Sequence, residues 1–408
     1  MKGTWRLLVV TALSGTSCTG AEPAPTAAGM GEMPGGGPVS GGGVATSGGS
    51  DDSGGAAASG GASTDGSSVK SGGRIGDGAV RTGSGAAMTD APAGDSGSDG
   101  MPAGSGNSTV TILPGTIWSD TQGRVIQAHG AGIIQVAGTY YWLGEDRTNG
   151  GAFQNVSCYS SIDLKTWSFV KNVLTRQLTG DLGPNRVVER PHVLYNSATS
   201  QYVMYMHIDG SNYSERKAGV ATSGSVCGDY VYRGSFRPLG HDSLDDNLFQ
   251  DGTAAYFLSE DRTNAKLQIY LLSADYLTVS SLVATVAQYE APAVAKVNGM
   301  YFLFGSHLSG WATNDNQYTT ASSMAGPWAT WKSFAPAGSN TCDSQATSIV
   351  AVNGTSGTTY VFLGDRWNPS NLGSSRYIWQ PLTISGAAVS MGCAPSWKID
   401  VATGIWSP

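Results

Sequence analysis

The sequence predicts an all-β fold, a five-bladed β-propeller, because one hairpin pattern is repeated along it. Aromatic-aliphatic runs recur about every 50 residues, a spacing typical of propeller blades. Four of them follow an apolar strand and a turn, and several precede a Ser-rich strand with a Trp or Tyr behind it. Few stretches carry apolar residues at helical spacing, and the strands of a β-sandwich, the alternative fold, would not regroup at such intervals. The runs are TYYWLGED from 139, QYVMYMH from 201, AYFLSED from 255, MYFLFGSH from 300 and TYVFLGDR from 359.

Residues 1–18 predict a signal peptide. Lys2 and Arg6 place positive charge before a short apolar run, and small residues follow it. The run is much shorter than the roughly 20 residues that a membrane-spanning helix needs. Cys18 follows Gly-Thr-Ser, the layout of a bacterial lipoprotein. Two localisations stay open, an outer-surface lipoprotein anchored to the membrane by a lipid on Cys18 and a plainly secreted protein.

Residues 19–108 predict a disordered, low-complexity linker rich in Gly, Ser and Ala. They contain no Phe, Trp or Tyr and nearly half of the protein's 58 glycines. Such a segment cannot bury enough apolar surface to offset the entropy of ordering it. The aromatic residues lie almost entirely in residues 109–408, which have the size of one large domain. We therefore expect the propeller, and all of the chemistry, in residues 109–408.

The charge of the chain excludes a nucleic-acid partner. The formal net charge is −7, only 13% of residues are charged, and no basic cluster is present to meet phosphates. Low charge with many Trp and Tyr residues suits a protein that acts on neutral polar molecules. We expect a polysaccharide or oligosaccharide as the partner, and a monomeric protein.

The cysteines of the folded region leave their pairing open. An even number in an exported domain allows two disulfides in three pairings, and free buried thiols are the alternative. No Cys or His pair has zinc-binding spacing, so we expect no metal and no cofactor. The four residues are Cys158, Cys227, Cys342 and Cys393.

Polar residues end the predicted inner strands at matching places in successive blades. In a propeller these ends converge on the central axis, so the side chains share one pocket. Carboxylates that converge on an apolar, Trp-rich pocket shift one another's pKa values, and carboxyl groups with different pKa values are what cleavage of a glycosidic bond requires. The residues at these ends are Glu145, Glu189, Asp245, Glu290, Gln345 and Asp365, with Arg190, Arg366 and His129 near them in sequence.

Five stretches taken together resemble the exo-β-1,3-galactanase branch of glycoside hydrolase family 43. They are IQAHGAGIIQVAGTYYWLGED, ERPHVLYN, EAPAVAKVNGMYFLFGSHLSGW, SQATSIVAV and YVFLGDRWNPSNLGSSRYIWQPL, in order over nearly all of residues 120–385. The resemblance implies a five-bladed propeller. It also implies hydrolysis of β-1,3-galactan, as in arabinogalactan, from a chain end and with inversion.

The resemblance assigns a role to each matching residue. Glu290 matches the general acid, and Asp245 matches the aspartate that orients this acid and raises its pKa. Gln345 matches a glutamine proposed to activate the water, since the carboxylate that is the base in most of the family is missing from the QAHGAG stretch. The residues expected to bind the sugar are Glu145, Glu189, Tyr213 and Trp311, together with Asp365 and Arg366 at the end of the fifth run.

Some of these assignments leave alternatives. A neutral amide is a poor base, so Gln345 either acts through its imidic-acid tautomer or only positions the water while Glu189 or Asp343 accepts the proton. Asp246 directly follows Asp245 and competes with it for the same role. His129 has glycine neighbours and is expected to be a buried, hydrogen-bonded histidine rather than a ligand or base.

Two other functions compete with the galactanase. An arabinofuranosidase or xylosidase would use the same propeller, and the missing carboxylate in the QAHGAG stretch argues for the galactanase branch instead. A non-catalytic carbohydrate-binding propeller would need no acid, and Glu290 counts against it.

Overall fold

The computed structural model describes residues 109–408, which are built almost entirely of β-strands. The predicted signal peptide, Cys18 and the predicted linker lie outside the described residues. Three short 3₁₀ segments interrupt the strands, at Gly180–Leu182, Pro238–Gly240 and Leu372–Ser374.

Twenty of the strands form five four-stranded antiparallel sheets, each a simple meander in chain order. We number the strands along the chain from β1, Thr109–Ile112, which belongs to a further sheet. The first sheet comprises β2 His129–Val136, β3 Thr139–Glu145, β4 Asn155–Ser161 and β5 Ser168–Thr175. The second comprises β6 Arg186–Asn196, β7 Gln201–Gly210, β8 Lys217–Ser223 and β9 Val231–Phe236. The third comprises β10 Asp246–Asp251, β11 Ala254–Asp261, β12 Lys266–Leu272 and β13 Val279–Val286. The fourth comprises β14 Glu290–Val297, β15 Met300–Ser306, β16 Gln317–Ala321 and β17 Lys332–Ser333. The fifth comprises β18 Gln345–Asn353, β19 Thr358–Arg366, β20 Arg376–Ser385 and β21 Ala388–Met391.

The predicted count of five blades is wrong, because the described residues form six sheets and hence a six-bladed propeller. The sixth blade pairs β1 with β22, Trp397–Asp400, and β22 with β23, Ile405–Ser407. It has three strands and joins the two ends of the described chain. The first strands of the other five blades contact one another in a closed ring, β2 to β6, β10, β14, β18 and back to β2.

The inner hairpin of each blade carries apolar side chains on both faces, because neighbouring blades cover both faces of a blade. In β15, Phe302 and Phe304 pack toward the fifth blade, whereas Tyr301 and Leu303 pack toward the third. Successive side chains of a strand point to opposite faces, so an unbroken apolar run fills two interfaces at once.

The sixth blade packs on a cluster of tryptophans between the first and fifth blades. Ile112 and Trp397 are buried against Trp142 and Trp379. The indole N–H of Trp397 also donates to the Trp379 carbonyl oxygen at 2.8 Å. The two ends of the described chain are thereby held to the ring.

A β-bulge near the start of several inner strands directs side chains toward the axis. The ladder shifts register between Glu189 and His192 and between Glu290 and Ala293. Bulges bend a strand and re-aim its side chains, and they are frequent next to active sites. The residue after each glutamate has a left-handed backbone, with φ of 52° at Arg190 and 53° at Ala291.

The structure resolves the cysteine pairing that the sequence left open. Cys158 is bonded to Cys227, and Cys342 is bonded to Cys393. The first disulfide joins the first and second blades, and the second joins the turn before β18 to the segment before β22.

Candidate active site

The polar ends of the inner strands surround one cavity of about 240 Å³. Seven of the nine residues predicted for the site line it, and these come from five different blades. Side chains far apart in sequence therefore meet in a space that suits one sugar unit. The predicted residues in the lining are Glu145, Glu189, Tyr213, Asp245, Glu290, Trp311 and Gln345.

Glu290 is the first residue of β14 and is 4% exposed. Burial, followed by the nearby charges of Asp245 and Glu260, raises the pKa of Glu290 to about 8. A carboxyl group with that pKa keeps its proton at neutral pH. Glu290 is therefore in the state that a general acid needs before the reaction.

Gln345, the first residue of β18, is fixed by three hydrogen bonds. Its Oε1 accepts from the Arg190 guanidinium at 2.6 Å and from the Trp367 indole at 2.9 Å. Its Nε2 donates to Oε1 of Glu290 at 2.9 Å. The opposite amide orientation would bring Nε2 against two donors, so the network defines which atom faces Glu290.

The structure separates the neighbouring candidates Asp245 and Asp246. Asp245 lines the cavity and forms an ion pair with Arg190 at 2.9 Å. Asp246 is fully buried, neither of its carboxylate oxygens has a hydrogen-bond partner among the described residues, and burial raises its pKa well above the ordinary value. Asp245 is therefore the carboxylate whose charge reaches Glu290 from within the site.

Glu145 and Glu189 share the guanidinium of Arg147, which forms ion pairs with both. Burial raises the pKa of Glu145 to about 7, with the charge of Glu189 acting in the same direction. Glu189 is also desolvated, but the Arg147 charge and a hydrogen bond from His207 hold its pKa well below the ordinary range. Glu189 is the ionised member of the pair, and Glu145 is the one that titrates near neutral pH.

His207 and Tyr213 support Glu189 from behind. The Tyr213 hydroxyl donates to Glu189 Oε1 at 2.8 Å. His207 is fully buried, with ring nitrogens 3.2 Å from Glu189 and 3.0 Å from Asp209. Burial opposes charge on the ring, but the bonds to Asp209 and Glu189 outweigh it and raise the pKa of His207 to about 10. His207 is therefore a buried imidazolium between two carboxylates.

Two tryptophans provide the apolar wall of the cavity. Trp311 and Trp367 meet edge to face with ring centroids 5.1 Å apart, and the Arg147 guanidinium lies over both rings. Aromatic faces suit the apolar face of a pyranose ring, and the surrounding polar groups suit its hydroxyls.

Asp365, Arg366 and Asp343, which the sequence also suggested for the site, lie outside this lining. Asp365 is buried and accepts from the backbone N–H of Gly130 at 2.6 Å, with His129 beside it at 3.3 Å. Arg366 donates to two backbone carbonyls of the turn before Gln345. Asp343 lies in that same turn with a side chain 63% exposed, so it is not placed to accept a proton inside the cavity.

Several residues that line the cavity were not predicted from the sequence. Arg147 links Glu145 and Glu189, while Glu260 and Arg262 form an ion pair next to Glu290. Their signal was present, because LGEDR at 143–147 and LSEDR at 258–262 end equivalent second strands of two blades. Glu145, the first Glu of this repeated pattern, was predicted for the site, but Glu260, the second, was not. The other lining residues not predicted for sugar binding or catalysis are Arg190, Arg216, Leu244, Gly310 and Trp367.

A larger cavity of about 500 Å³ opens along the axis from the other ends of the inner strands. Its lining includes His192, Asn247 and Lys296 but no Asp or Glu. It therefore lacks the acid that glycosidic cleavage requires.

Within residues 109–408, no group of three or more His, Cys, Asp or Glu side chains is arranged to hold a metal ion. No helix in the same range is long and apolar enough to cross a membrane.

A buried glutamate with a raised pKa, further carboxylates and two tryptophans in one propeller cavity define a glycosidase. The family described as glycosyl hydrolases family 43 matches residues 127–361, and the chain belongs to this family. Solved structures similar to it include two exo-β-1,3-galactanases, and no curated protein matches. One is an exo-β-1,3-galactanase from Phanerochaete chrysosporium with β-1,3-galactotriose, 44% identical over 73% of this chain and 70% of its own, with a TM-score of 0.70. The other is an exo-β-1,3-galactanase from Clostridium thermocellum, 37% identical over 73% of this chain and 68% of its own, with a TM-score of 0.70.

Proposed function

We propose that the protein is an exo-acting galactan 1,3-β-galactosidase. The observation that carries this proposal is the buried Glu290, whose pKa is raised, in a cavity of one-sugar size. The two galactanases of solved structure support the choice of sugar and linkage, one of them with β-1,3-galactotriose bound. A cavity of about 240 Å³ favours removal of one terminal residue at a time over cleavage within a chain.

The proton of Glu290 passes to the glycosidic oxygen as the bond to the anomeric carbon breaks. A water attacks that carbon from the opposite face, which inverts its configuration. Gln345 donates to Glu290 at 2.9 Å, so the sugar must replace this bond before its glycosidic oxygen can meet the acid.

Gln345 is better placed to hold the water than to take its proton. Both acceptor directions of its Oε1 are used by Arg190 and Trp367, and the charged guanidinium makes the amide less basic. The imidic-acid tautomer would put a hydrogen on Oε1 where two donors already point. Of the nearby carboxylates, Glu145 has the pKa suited to accept a proton at neutral pH, whereas that of Glu189 is too low.

Products from three polysaccharides test the proposal. We expect galactose from β-1,3-galactan and no sugar from arabinan or xylan, with α-galactose as the first anomer seen by NMR. Release of arabinose or xylose instead would identify an arabinofuranosidase or xylosidase. Binding of galactan without any product would identify a carbohydrate-binding propeller and overturn every enzymatic assignment.

We also propose that the protein is exported and acts as a monomer. Two disulfides in the folded region support an oxidising compartment. Fractionation of cells that produce the full chain and a Cys18→Ala variant tests the anchor. Loss of the variant from the membrane fraction indicates a lipoprotein, and the same distribution for both proteins indicates secretion. Light scattering during size-exclusion chromatography tests the monomer.

A further inference from the structure

The turn that leads into Gln345 has a backbone that its sequence does not favour. Four consecutive residues have a left-handed conformation, with φ of 49°, 55°, 60° and 54° at Asn340, Thr341, Cys342 and Asp343. Asn tolerates this region, but Cβ atoms disfavour it for the others, most of all for a β-branched Thr. Such strain persists only where the surroundings impose it, and it is concentrated at functional sites.

Contacts from three directions impose this conformation. The Cys342–Cys393 disulfide ties the turn to the segment before β22. The Arg366 guanidinium donates to the carbonyl oxygens of Cys342 at 2.7 Å and Asp343 at 3.2 Å. The buried Thr341 hydroxyl accepts from the backbone N–H of Asn316 at 2.7 Å.

Only Ser344 separates this turn from Gln345. Ser344 is itself fully buried, and its hydroxyl donates to the Thr341 carbonyl oxygen at 2.6 Å. The turn therefore sets the point and direction from which the Gln345 side chain reaches Glu290. A relaxation of the turn would move the amide away from its partners.

We propose that the Cys342–Cys393 disulfide and Arg366 are positioning elements of the active site, which hold Gln345 in place through the left-handed turn. This inference rests on the proposed function where turnover is measured. It implies that reduction of this one disulfide lowers kcat, and it gives Arg366 a role other than contact with the sugar.

The second disulfide of the protein provides a matched control. Cys158 and Cys227 are 69 residues apart in sequence and Cys342 and Cys393 are 51 apart, so loss of either bond releases a similar chain entropy in the unfolded state. Neither Cys158 nor Cys227 lines the cavity. The two double variants to compare are Cys342→Ala/Cys393→Ala and Cys158→Ala/Cys227→Ala.

Turnover of β-1,3-galactan, measured well below the melting temperature of both variants, is the first readout. We expect Cys342→Ala/Cys393→Ala to lower kcat by about 10- to 100-fold with little change in KM, since small displacements of a reacting group have effects of this size. The Cys158→Ala/Cys227→Ala protein should lose stability but keep its kcat. An equal loss of kcat in both variants, or none in the first, would overturn the proposal.

The indole N–H of Trp367 gives a second readout that needs no substrate. It donates to Gln345, so its NMR resonance, assigned with Trp367→Phe, reports where the amide lies. We expect this resonance to shift in Cys342→Ala/Cys393→Ala and to stay in place in Cys158→Ala/Cys227→Ala. An unmoved resonance in both variants overturns the proposal. Absence of turnover in the unaltered protein would refute only the galactosidase function.

Two further variants keep the test decisive if the first does not fold. Cys342→Gly/Cys393→Ala also lacks the disulfide, but glycine has no Cβ and adopts the left-handed backbone without strain. This variant should therefore have a higher kcat than Cys342→Ala/Cys393→Ala, or fold where the latter does not. Arg366→Gln keeps the disulfide and should lower kcat and shift the Trp367 resonance. A rise in KM alone for Arg366→Gln would instead indicate a sugar contact and overturn its positioning role.

Discussion

Gln345 donates its amide hydrogen to Glu290 across 2.9 Å, a bond that the substrate must replace to reach the acid. Arg190 and Trp367 hold the other end of the amide, so Gln345 stays fixed when the sugar replaces this bond. The Gln345 amide hydrogen, which no longer bonds to Glu290, is then free to hold the attacking water. The site is thus arranged in advance, with only the Glu290 contact to be exchanged.

Replacement of Glu290 by Gln should remove activity and stabilise the fold. We expect turnover of β-1,3-galactan to fall by about 10²- to 10⁴-fold, because the amide cannot protonate the leaving oxygen. In the folded state the pKa of Glu290 is about 8 instead of 4.5, so folding takes up a proton, and the contribution of this group to stability falls as pH rises from 4.5 to 8. Gln does not titrate, so Glu290→Gln removes this pH-dependent loss of stability. The unfolding free energy of the variant should exceed that of the unaltered protein by on the order of 1 kcal/mol at pH 9 and by less at pH 5.

Urea unfolding at the two pH values measures this difference, and galactose binding at pH 7 serves as the control. Binding should be largely retained, since Gln keeps the shape of Glu. A gain that is the same at pH 5 and pH 9 would contradict the raised pKa. Near-normal turnover would contradict the assignment of the acid.

The rate should decline as pH rises through about 8, because Glu290 loses the proton that it donates. Glu260→Gln should move this decline to lower pH, since it removes a negative neighbour and frees Arg262 to approach Glu290. A shift of up to about one pH unit in the profile of kcat is expected. Asp251→Asn, at the far end of the third blade and paired with Lys296, is the control and should leave the profile unchanged. Equal profiles for Glu260→Gln and the unaltered protein would refute the influence of Glu260.

The five four-stranded blades could be predicted because each has a local signal. An aromatic run such as MYFLFGSH fills the interfaces on both faces of its blade, and local turns join its strands. The sixth blade has no such signal. Thr109–Ile112 pairs with Trp397–Asp400 across almost the whole described chain, and each strand is only four residues long. Pairing between distant segments depends on closure of the ring, which a search for local repeats does not detect.

The site was predictable where a residue begins an inner strand. Glu290 and Gln345 occupy that position, and the strand ends converge on one cavity. Asp365 lies opposite Gln345, at the end of the second strand of the same blade, but its carboxylate accepts from the backbone N–H of Gly130 instead of lining the cavity. The direction in which such a side chain points depends on bulges and left-handed residues, which a strand pattern does not specify.

Gly130→Ala should damage the sugar site through Glu145. A Cβ at residue 130 would lie 2.1 Å from Glu145 Oε1, and the backbone there has a φ of +62°. We expect a raised KM, weaker galactose binding and a lower kcat, because Glu145 must move, together with a loss of stability. Gly138→Ala is the control, since its φ is +81° but nothing lies within 4 Å of the added Cβ. It should cost about 1 kcal/mol of stability and leave KM unchanged. Equal KM values for the two variants would show that Glu145 does not depend on this close approach.

His207→Gln should destabilise the protein more in mild acid than in base. The pKa of His207 is raised from 6.5 to about 10 in the folded state, so the stability from its charge is fully present below pH 6.5 and is lost as pH rises through 10. Without the imidazolium, the carboxylates of Glu189 and Asp209 lose a buried positive partner, and such losses cost about 3–5 kcal/mol. Urea unfolding at pH 6 and pH 10 should show the larger loss at pH 6. His307→Gln, at an exposed histidine, should show little loss at either pH. A loss for His207→Gln that is independent of pH would mean that the ring is neutral and acts only by packing and hydrogen bonding.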